Sequence, residues 1–132
     1  MPGYTHQNLK ELEDAAVSFG LSPNMEARFA REALEGVQTA VSYQRYAANF
    51  RQPFAHRHSE HEEIYVVISG GGLMRLDDEI IELRPWDAVR VSPGTVRGFA
   101  AGPAGLELLA FGPPGPQDAQ TQPASWPDQP AD

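Results

Sequence analysis

The chain has 132 residues, a formal net charge of −8 at pH 7 and no cysteine. This length fits one domain with a real core, and the lack of cysteine excludes disulfides, thiolate metal sites and a cysteine nucleophile. The acidic balance, with its basic residues scattered singly, argues against nucleic acid as a partner.

The sequence also argues against a membrane partner. No apolar stretch approaches the roughly 20 residues that a bilayer-spanning helix needs. The first residues lack the basic start and apolar run of a secretory signal. We therefore expect a soluble cytoplasmic protein.

The N-terminal part is predicted to be a short extension over residues 1–36. Residues 9–19 have apolar positions near helical spacing, and Gly20 would end a short helix or turn there. Residues 23–34 fit two patterns. Met25, Phe29 and Ala33 would share a helical face, yet Met25 and Phe29 also alternate with charged residues as in a strand.

From Val37 onward the apolar residues recur with a period of two, which predicts short strands. The predicted strands cover residues 37–46, 54–58, 63–69, 73–76, 79–83, 89–91, 96–100 and 106–111. Gly70–Gly72 is predicted as a turn, and Asp77 and Asp78 as the turn of a hairpin. Such closely spaced strands indicate an all-β sandwich or barrel over residues 37–112.

Residues 113–132 differ in composition, with six prolines, three aspartates and no basic residue. Proline withholds a backbone donor from a sheet, so this segment is predicted to be a flexible, disordered or surface-wrapped tail. Trp126 is its one large aromatic, and it fits either a docked side chain or a solvated one.

The stretch from His56 to Glu63 holds three of the four histidines and three glutamates. Imidazole and carboxylate are common ligands of zinc, iron, manganese and nickel. His61, between Glu60 and Glu62, is interpreted as a solvated loop residue.

The spacing of His56, His58, Glu63 and Gly70 resembles the first conserved motif of the cupins, which are small β-barrels of jelly-roll (double-stranded β-helix) topology. The segment from Trp86 to Arg97 resembles the second motif, and the resemblance covers about residues 40–111. It implies a divalent metal (iron, manganese, nickel or zinc) on His56, His58 and Glu63. It also favours a strand over residues 25–34, of the kind that small cupins pair across a dimer.

Strand geometry supports this ligand set. His56 and His58 are two residues apart and so share a face of one strand, and an antiparallel neighbour can bring Glu63 beside them. If the loop between them is one residue shorter than predicted, Glu62 takes the place of Glu63.

The second motif departs from the family pattern where it matters most. Trp86 stands at its opening glycine, and Arg97 stands at the position of the fourth metal ligand. A guanidinium cannot ligate a metal. Arg97 therefore turns away, holds an anionic substrate against the metal, or replaces the metal by pairing with Glu63.

Two functions remain open on these grounds. The first is a metal-dependent enzyme such as a dioxygenase or isomerase. The second is a metal-free cupin that binds or senses a small anionic molecule. Arg97, Tyr65 and Gln52 are the predicted substrate-binding residues. A homodimer is expected, because Ile64 to Ile68 is apolar on both faces of its strand.

Overall fold

The computed structural model describes residues 3–115 and 117–127, and most of its regular secondary structure is antiparallel sheet. A single 3-10 turn, Leu9–Glu11, precedes the short helix α1 (Ala15–Ser18), and a second short helix, α2 (Arg31–Leu34), follows the first strand. The strands are β1 (Met25–Phe29), β2 (Ala40–Tyr46), β3 (Phe54–His58), β4 (Glu63–Leu76), β5 (Glu79–Leu83), β6 (Ala88–Val91), β7 (Arg97–Gly112) and β8 (Ala119–Pro123). None of the helices in these ranges is long and apolar enough to cross a bilayer.

Two long strands, β4 and β7, form the spine of the sheet. β7 pairs with β4 along most of its length, and its other edge meets β2 near its C-terminal end and β3 near its N-terminal end. β5 and β6 continue the sheet beyond β4, while β1 lies outside β2 and β8 outside β3. The sheet thus curls into a half-barrel, which confirms the all-β fold of jelly-roll type that the resemblance implied.

The predicted turn at Gly70–Gly72 is wrong, because these residues lie inside β4. Register shifts interrupt the β4–β7 ladder at this point, where both strands bend. A Cβ on Gly70 (φ 74°) would lie 2.1 Å from the Gly105 carbonyl oxygen, and one on Gly72 (φ 152°) would lie 2.1 Å from that of Ala100. The glycines therefore allow two strands to cross closely at a barrel corner rather than ending a strand.

For the same reason, the two strands predicted at residues 96–100 and 106–111 are one strand, β7, which continues through the glycines and Pro103 between them. The sequence left a strand and a helix open for residues 25–34, and the structure has both, since β1 is followed closely by α2. β1 pairs with β2 of the same chain, from Met25 opposite Tyr46 to Phe29 opposite Ser42. The hairpin turn at Asp77 is confirmed, with φ 54° at that residue.

The interior is packed with aromatic and aliphatic side chains from the inward positions of these strands. Tyr46, Tyr65 and Phe99 form its aromatic centre, with the Phe99 ring centroid 5.5 Å from that of Tyr46 and 5.1 Å from that of Tyr65. The alternation of the strand residues produces this core, because every second side chain faces inward.

An ion cluster ties the N-terminal extension to the sheet. The Glu26 carboxylate, only 8% exposed, accepts hydrogen bonds from Lys10 Nζ (2.6 Å), Arg28 Nε (2.6 Å) and Arg45 Nε (2.9 Å). Burial by itself would raise the pKa of Glu26, but these three cations outweigh it and lower the pKa to about 2.

Trp86, which stands at the opening glycine of the second motif, keeps the backbone conformation that a glycine would favour. Its φ is 74°, its N–H donates to the Val67 carbonyl oxygen at 2.7 Å, and its side chain is 77% exposed. A non-glycine residue with a positive φ is strained. The exposed side chain of Trp86 makes little packing contact that would offset this strain.

Candidate metal centre

The two histidines of the first motif face the barrel interior from β3. In the β3–β7 ladder His56 lies opposite Arg97. The side chain of His58 is 11% exposed and that of His56 is 19% exposed, and their rings meet edge to face with centroids 5.1 Å apart. Arg57, between them, points outward and donates to Gln120. The period-two alternation of a strand accounts for this division.

Glu63 enters the same space from the first position of β4. Its Oε1 lies 3.1 Å from His58 Nε2 and 3.8 Å from His56 Nε2, and it accepts a 2.6 Å hydrogen bond from the Tyr65 hydroxyl. One ligand atom from each of His56, His58 and Glu63 lies within 4.8 Å of the others. Glu62, the alternative ligand, is 56% exposed and faces Arg90 instead.

The charges of this cluster are mutually stabilised. Burial would raise the pKa of Glu63, but the nearby imidazoles of His56 and His58 and the hydrogen bond from Tyr65 hold it well below its usual range. The hydrogen bond to Glu63, supported by Asp118, raises the pKa of His58 despite its burial. Glu63 is therefore an anion at neutral pH, which is the form that ligates a metal.

Arg97 faces this cluster and does not turn away. Its side chain is fully buried, and Nη2 lies 4.0 Å from Glu63 Oε1. Within the described part of the chain, none of its three guanidinium nitrogens has a hydrogen-bond partner. Of the three alternatives for Arg97, the two that direct its charge at the site fit this geometry. An unbonded buried guanidinium is costly, so a ligand that accepts its hydrogen bonds would be favoured.

Tyr65 and Gln52, two of the predicted substrate-binding residues, make internal contacts. The Tyr65 side chain is buried, and its hydroxyl is engaged by Glu63. Gln52 is also buried, and its side-chain oxygen accepts the Phe99 N–H at 3.1 Å. Both side chains hold neighbouring groups in place, and their role toward a substrate remains a prediction.

His61 and Asp118 extend the cluster in a way that the sequence did not predict. His61 lies in the loop between β3 and β4, but its ring stacks on that of His58 at 5.7 Å instead of being solvated. Asp118 Oδ1 lies 2.7 Å from His58 Nδ1 and 3.2 Å from His61 Nδ1. Asp118 belongs to the proline-rich segment, whose composition carries no signal for a partner 60 residues away.

The donor set fits a divalent ion of the first transition series. The two imidazoles come from β3 and the carboxylate from β4. These strands do not pair with each other, contrary to what was expected from the sequence, but each pairs with β7. Together they form a face with open positions, a set that suits iron, manganese, nickel or zinc. Two features oppose a cation among the described residues: the charge of Arg97, and the raised pKa of His58, which must lose a proton to become a ligand. A bound anion would reconcile Arg97 with the cation, since it can accept from the guanidinium and compensate the ion.

Comparisons with known proteins agree with this architecture. The sequence model of the family described as Cupin domain matches residues 42–111 of the chain. No curated protein matches the sequence significantly.

Several solved structures share the fold at low sequence identity. A cupin protein from Bacteroides fragilis is 24% identical, with 86% of each chain covered and a TM-score of 0.69. Pac13 from Streptomyces, described as a nucleoside dehydratase, is 15% identical over 89% of this chain and 90% of its own, with a TM-score of 0.70. The polyketide cyclase RemF from Streptomyces resistomycificus is 18% identical over 94% of this chain and 87% of its own, with a TM-score of 0.70.

Proposed function

Since the chain belongs to the cupin domain family, we propose that it holds a divalent metal ion on His56, His58 and Glu63 and uses this centre to bind or transform a small anionic molecule. The observation that carries the proposal is the convergence of three ligand atoms within 4.8 Å in the barrel interior. The candidate ions are iron, manganese, nickel and zinc, and a dioxygenase or an isomerase is the proposed enzyme class.

A bound ion would supply a Lewis acid with open coordination positions. The residues of the chain would do the rest. Tyr65 donates to Glu63 Oε1 and so fixes the carboxylate. Arg97 is buried and has no hydrogen bond among the residues that the structure describes, so it offers donors to an anionic group of the substrate. Relatives in fold that act on small molecules support a small-molecule substrate, among them Pac13, of which three structures contain uridine.

Metal titration of protein purified without a nickel column tests the proposal. We expect one ion per chain by calorimetry and elemental analysis. His56→Ala and Glu63→Ala should abolish binding, because each removes one of three ligands. The matched controls are His6→Ala and Glu62→Ala, which remove the same chemical groups outside the ligand set. A metal content below one ion per chain that does not increase on reconstitution with iron(II), manganese, nickel or zinc would contradict the proposal.

A second candidate function is metal-free binding of a small anion, and Arg97 is the observation that favours it. Its guanidinium is already close to Glu63, and none of its nitrogens is hydrogen-bonded within residues 3–115 and 117–127. A thermal-shift screen of carboxylates and sugar acids in excess chelator tests this. Stabilisation that persists in chelator, disappears in Arg97→Met and survives in the control Arg57→Met supports it. No stabilisation in chelator rejects it.

We also propose a homodimer, formed through the outer face of the sheet. Ile64 on β4 lies opposite Phe111 on β7, which lies opposite Val41 on β2. Ile64 and Phe111 are each 40% exposed, so this row presents apolar surface to solvent. Light scattering should give twice the chain mass at micromolar concentration, and Ile64→Lys should halve it. A monomeric unmodified protein would contradict the proposal.

A further inference from the structure

The strand that carries the two ligand histidines is paired along its length with the C-terminal segment. In the β3–β7 ladder only His56 opposite Arg97 is paired. The β3–β8 ladder runs along the whole of β3, from Phe54 opposite Pro123 to His58 opposite Ala119. The backbone position of both histidines therefore depends on β8.

The residue just before β8, Asp118, is fixed by contacts from both of its carboxylate oxygens. Oδ1 lies 2.7 Å from His58 Nδ1 and 3.2 Å from His61 Nδ1. Oδ2 accepts the backbone N–H groups of Glu60 (2.8 Å) and His61 (3.1 Å), and it lies 3.5 Å from the Ser59 hydroxyl. The side chain is 12% exposed. Such a carboxylate is an oriented acceptor, held by the very loop that joins the two ligand strands.

The contact with Asp118 determines which nitrogen of His58 would ligate an ion. A neutral imidazole carries its proton on one nitrogen and offers the other as a ligand. Nδ1 of His58 faces Asp118, while Nε2 points at Glu63 from 3.1 Å and, without an ion, shares a proton with that carboxylate. An ion would replace the Nε2 proton, and the proton that Asp118 holds on Nδ1 would then keep the Nε2 lone pair directed into the cluster.

Contacts beyond β8 anchor the segment to the barrel. The Trp126 side chain is 4% exposed, and its Nε1–H donates to the Gln52 carbonyl oxygen at 3.2 Å. Arg75 donates to the Ser125 carbonyl oxygen at 2.7 Å. The segment is therefore attached at both ends, by Asp118 at the site and by Trp126 at the far side of β8.

We propose that the proline-rich C-terminal segment is a functional part of the site, with Asp118 as a positioning residue that holds the proton on His58 Nδ1 and directs Nε2 toward the metal. The part that concerns metal affinity rests on the proposed function. The part that concerns the His58 ring does not, because the contact with Asp118 exists without an ion. A carboxylate behind a ligand imidazole fixes its orientation and strengthens it as a ligand.

Two measurements on the full chain test this together. The first is the metal dissociation constant of Asp118→Ala, which we expect to rise about 10- to 100-fold, as is usual when the partner of a ligand histidine is removed. Asp118→Asn keeps an acceptor oxygen and should restore part of the affinity. Glu60→Ala is the matched control, since it removes an exposed carboxylate of the same loop whose side chain does not touch the histidines.

The second measurement is the exchange of the His58 Nδ1 proton with solvent, followed by NMR of protein labelled with ¹⁵N-histidine. We expect a slowly exchanging Nδ1–H resonance in the unmodified protein and in Glu60→Ala. It should persist in Asp118→Asn and be lost in Asp118→Ala. This readout needs no metal, so it decides the inference even if the unmodified protein binds none and the proposed function fails.

Three results would overturn the inference. One is a folded Asp118→Ala protein with unchanged metal affinity and an unchanged Nδ1 proton. Another is an equal loss of metal affinity in Glu60→Ala, because the loss in Asp118→Ala would then come from the negative charge of this region and not from the contact with His58. The third is a second ion per chain that disappears with Asp118, because Asp118 would then be a ligand, together with His58 and His61, and not a positioning residue.

Discussion

Replacement of Arg97 by methionine is the most informative single perturbation of the site. Methionine is apolar and fills much of the same length, so the change removes the charge without leaving a large cavity. The guanidinium makes no hydrogen bond within the described residues, so little bonding is lost. We expect Arg97→Met to bind divalent metal more tightly than the unmodified protein.

The structure sets the size of this effect. Arg97 Nη2 is 4.0 Å from Glu63 Oε1. A metal bonded to that oxygen at about 2.1 Å can be no farther than about 6 Å from Nη2. A unit charge and a divalent ion about 6 Å apart repel by roughly 5 kcal/mol at an effective dielectric of about 20. That corresponds to nearly 10⁴-fold in a dissociation constant. Bound anions and side-chain movement offset much of it, so we expect a gain of at least about tenfold.

Calorimetric titration with manganese and zinc in a buffer free of carboxylate and phosphate measures the effect. Arg57→Met is the matched control, because Arg57 lies on the same strand but points to solvent and donates to Gln120. Addition of a small carboxylate should reduce the difference in metal affinity between Arg97→Met and the unmodified protein. The anion neutralises the guanidinium of the unmodified protein, and Arg97→Met has no guanidinium to neutralise. Thermal unfolding in chelator reports folding. We expect no loss of stability in Arg97→Met, because the substitution removes a buried guanidinium without a hydrogen bond among the described residues, while Glu63 keeps Tyr65 and His58 as partners.

A folded Arg97→Met protein that binds metal no better than the unmodified one would refute this reasoning. It would mean that the guanidinium moves away when the ion enters. A lower metal affinity in Arg97→Met than in the unmodified protein would contradict it more directly, because the arginine would then favour metal binding. An equal gain in Arg57→Met would assign the effect to net charge alone.

Three further predictions concern stability and are measured by chemical denaturation. Glu26→Gln should lower the free energy of unfolding at pH 7 by up to about 3 kcal/mol, the equivalent of a pKa lowered from 4.5 to about 2. Because that pKa is lowered by folding, the contribution is present above pH 4.5 and lost as the pH falls toward 2, so the variant and the unmodified protein should converge in acid. Trp126→Ala should cost about 3 kcal/mol, since it empties a buried indole site beside Gln52; an effect under about 0.5 kcal/mol would show that the segment is not docked. Trp86→Gly should raise stability by about 1 kcal/mol, because it relieves a φ of 74° at an exposed residue; a loss would mean that the exposed indole is packed against a partner.

The sequence predicted the strands for a clear physical reason, while the ligand set was implied by the resemblance to the cupins and supported by the same strand geometry. Alternation of apolar and polar residues fixes which side chains share a face, so His56 and His58 were placed together before any tertiary contact was known. The turn at Asp77 follows from local chemistry of the same kind. The errors fall at Gly70–Gly72 and at residues 101–105, where glycine marks a close crossing of two strands. A local pattern does not distinguish such a crossing from a turn, because both require a residue without a side chain.

The strands and the candidate metal donors thus follow from local pattern and motif spacing, which act over a few residues. The direction of Arg97 and the partnership of Asp118 with His58 arise from contacts between residues distant in the chain, and only the closed sheet decides them. Proline, which withholds its own N–H from a ladder, made residues 113–132 look unable to join the sheet. Yet β8, with its one proline at its final residue, finds a partner in β3, and Trp126 finds a buried place that no local property of the tail predicts.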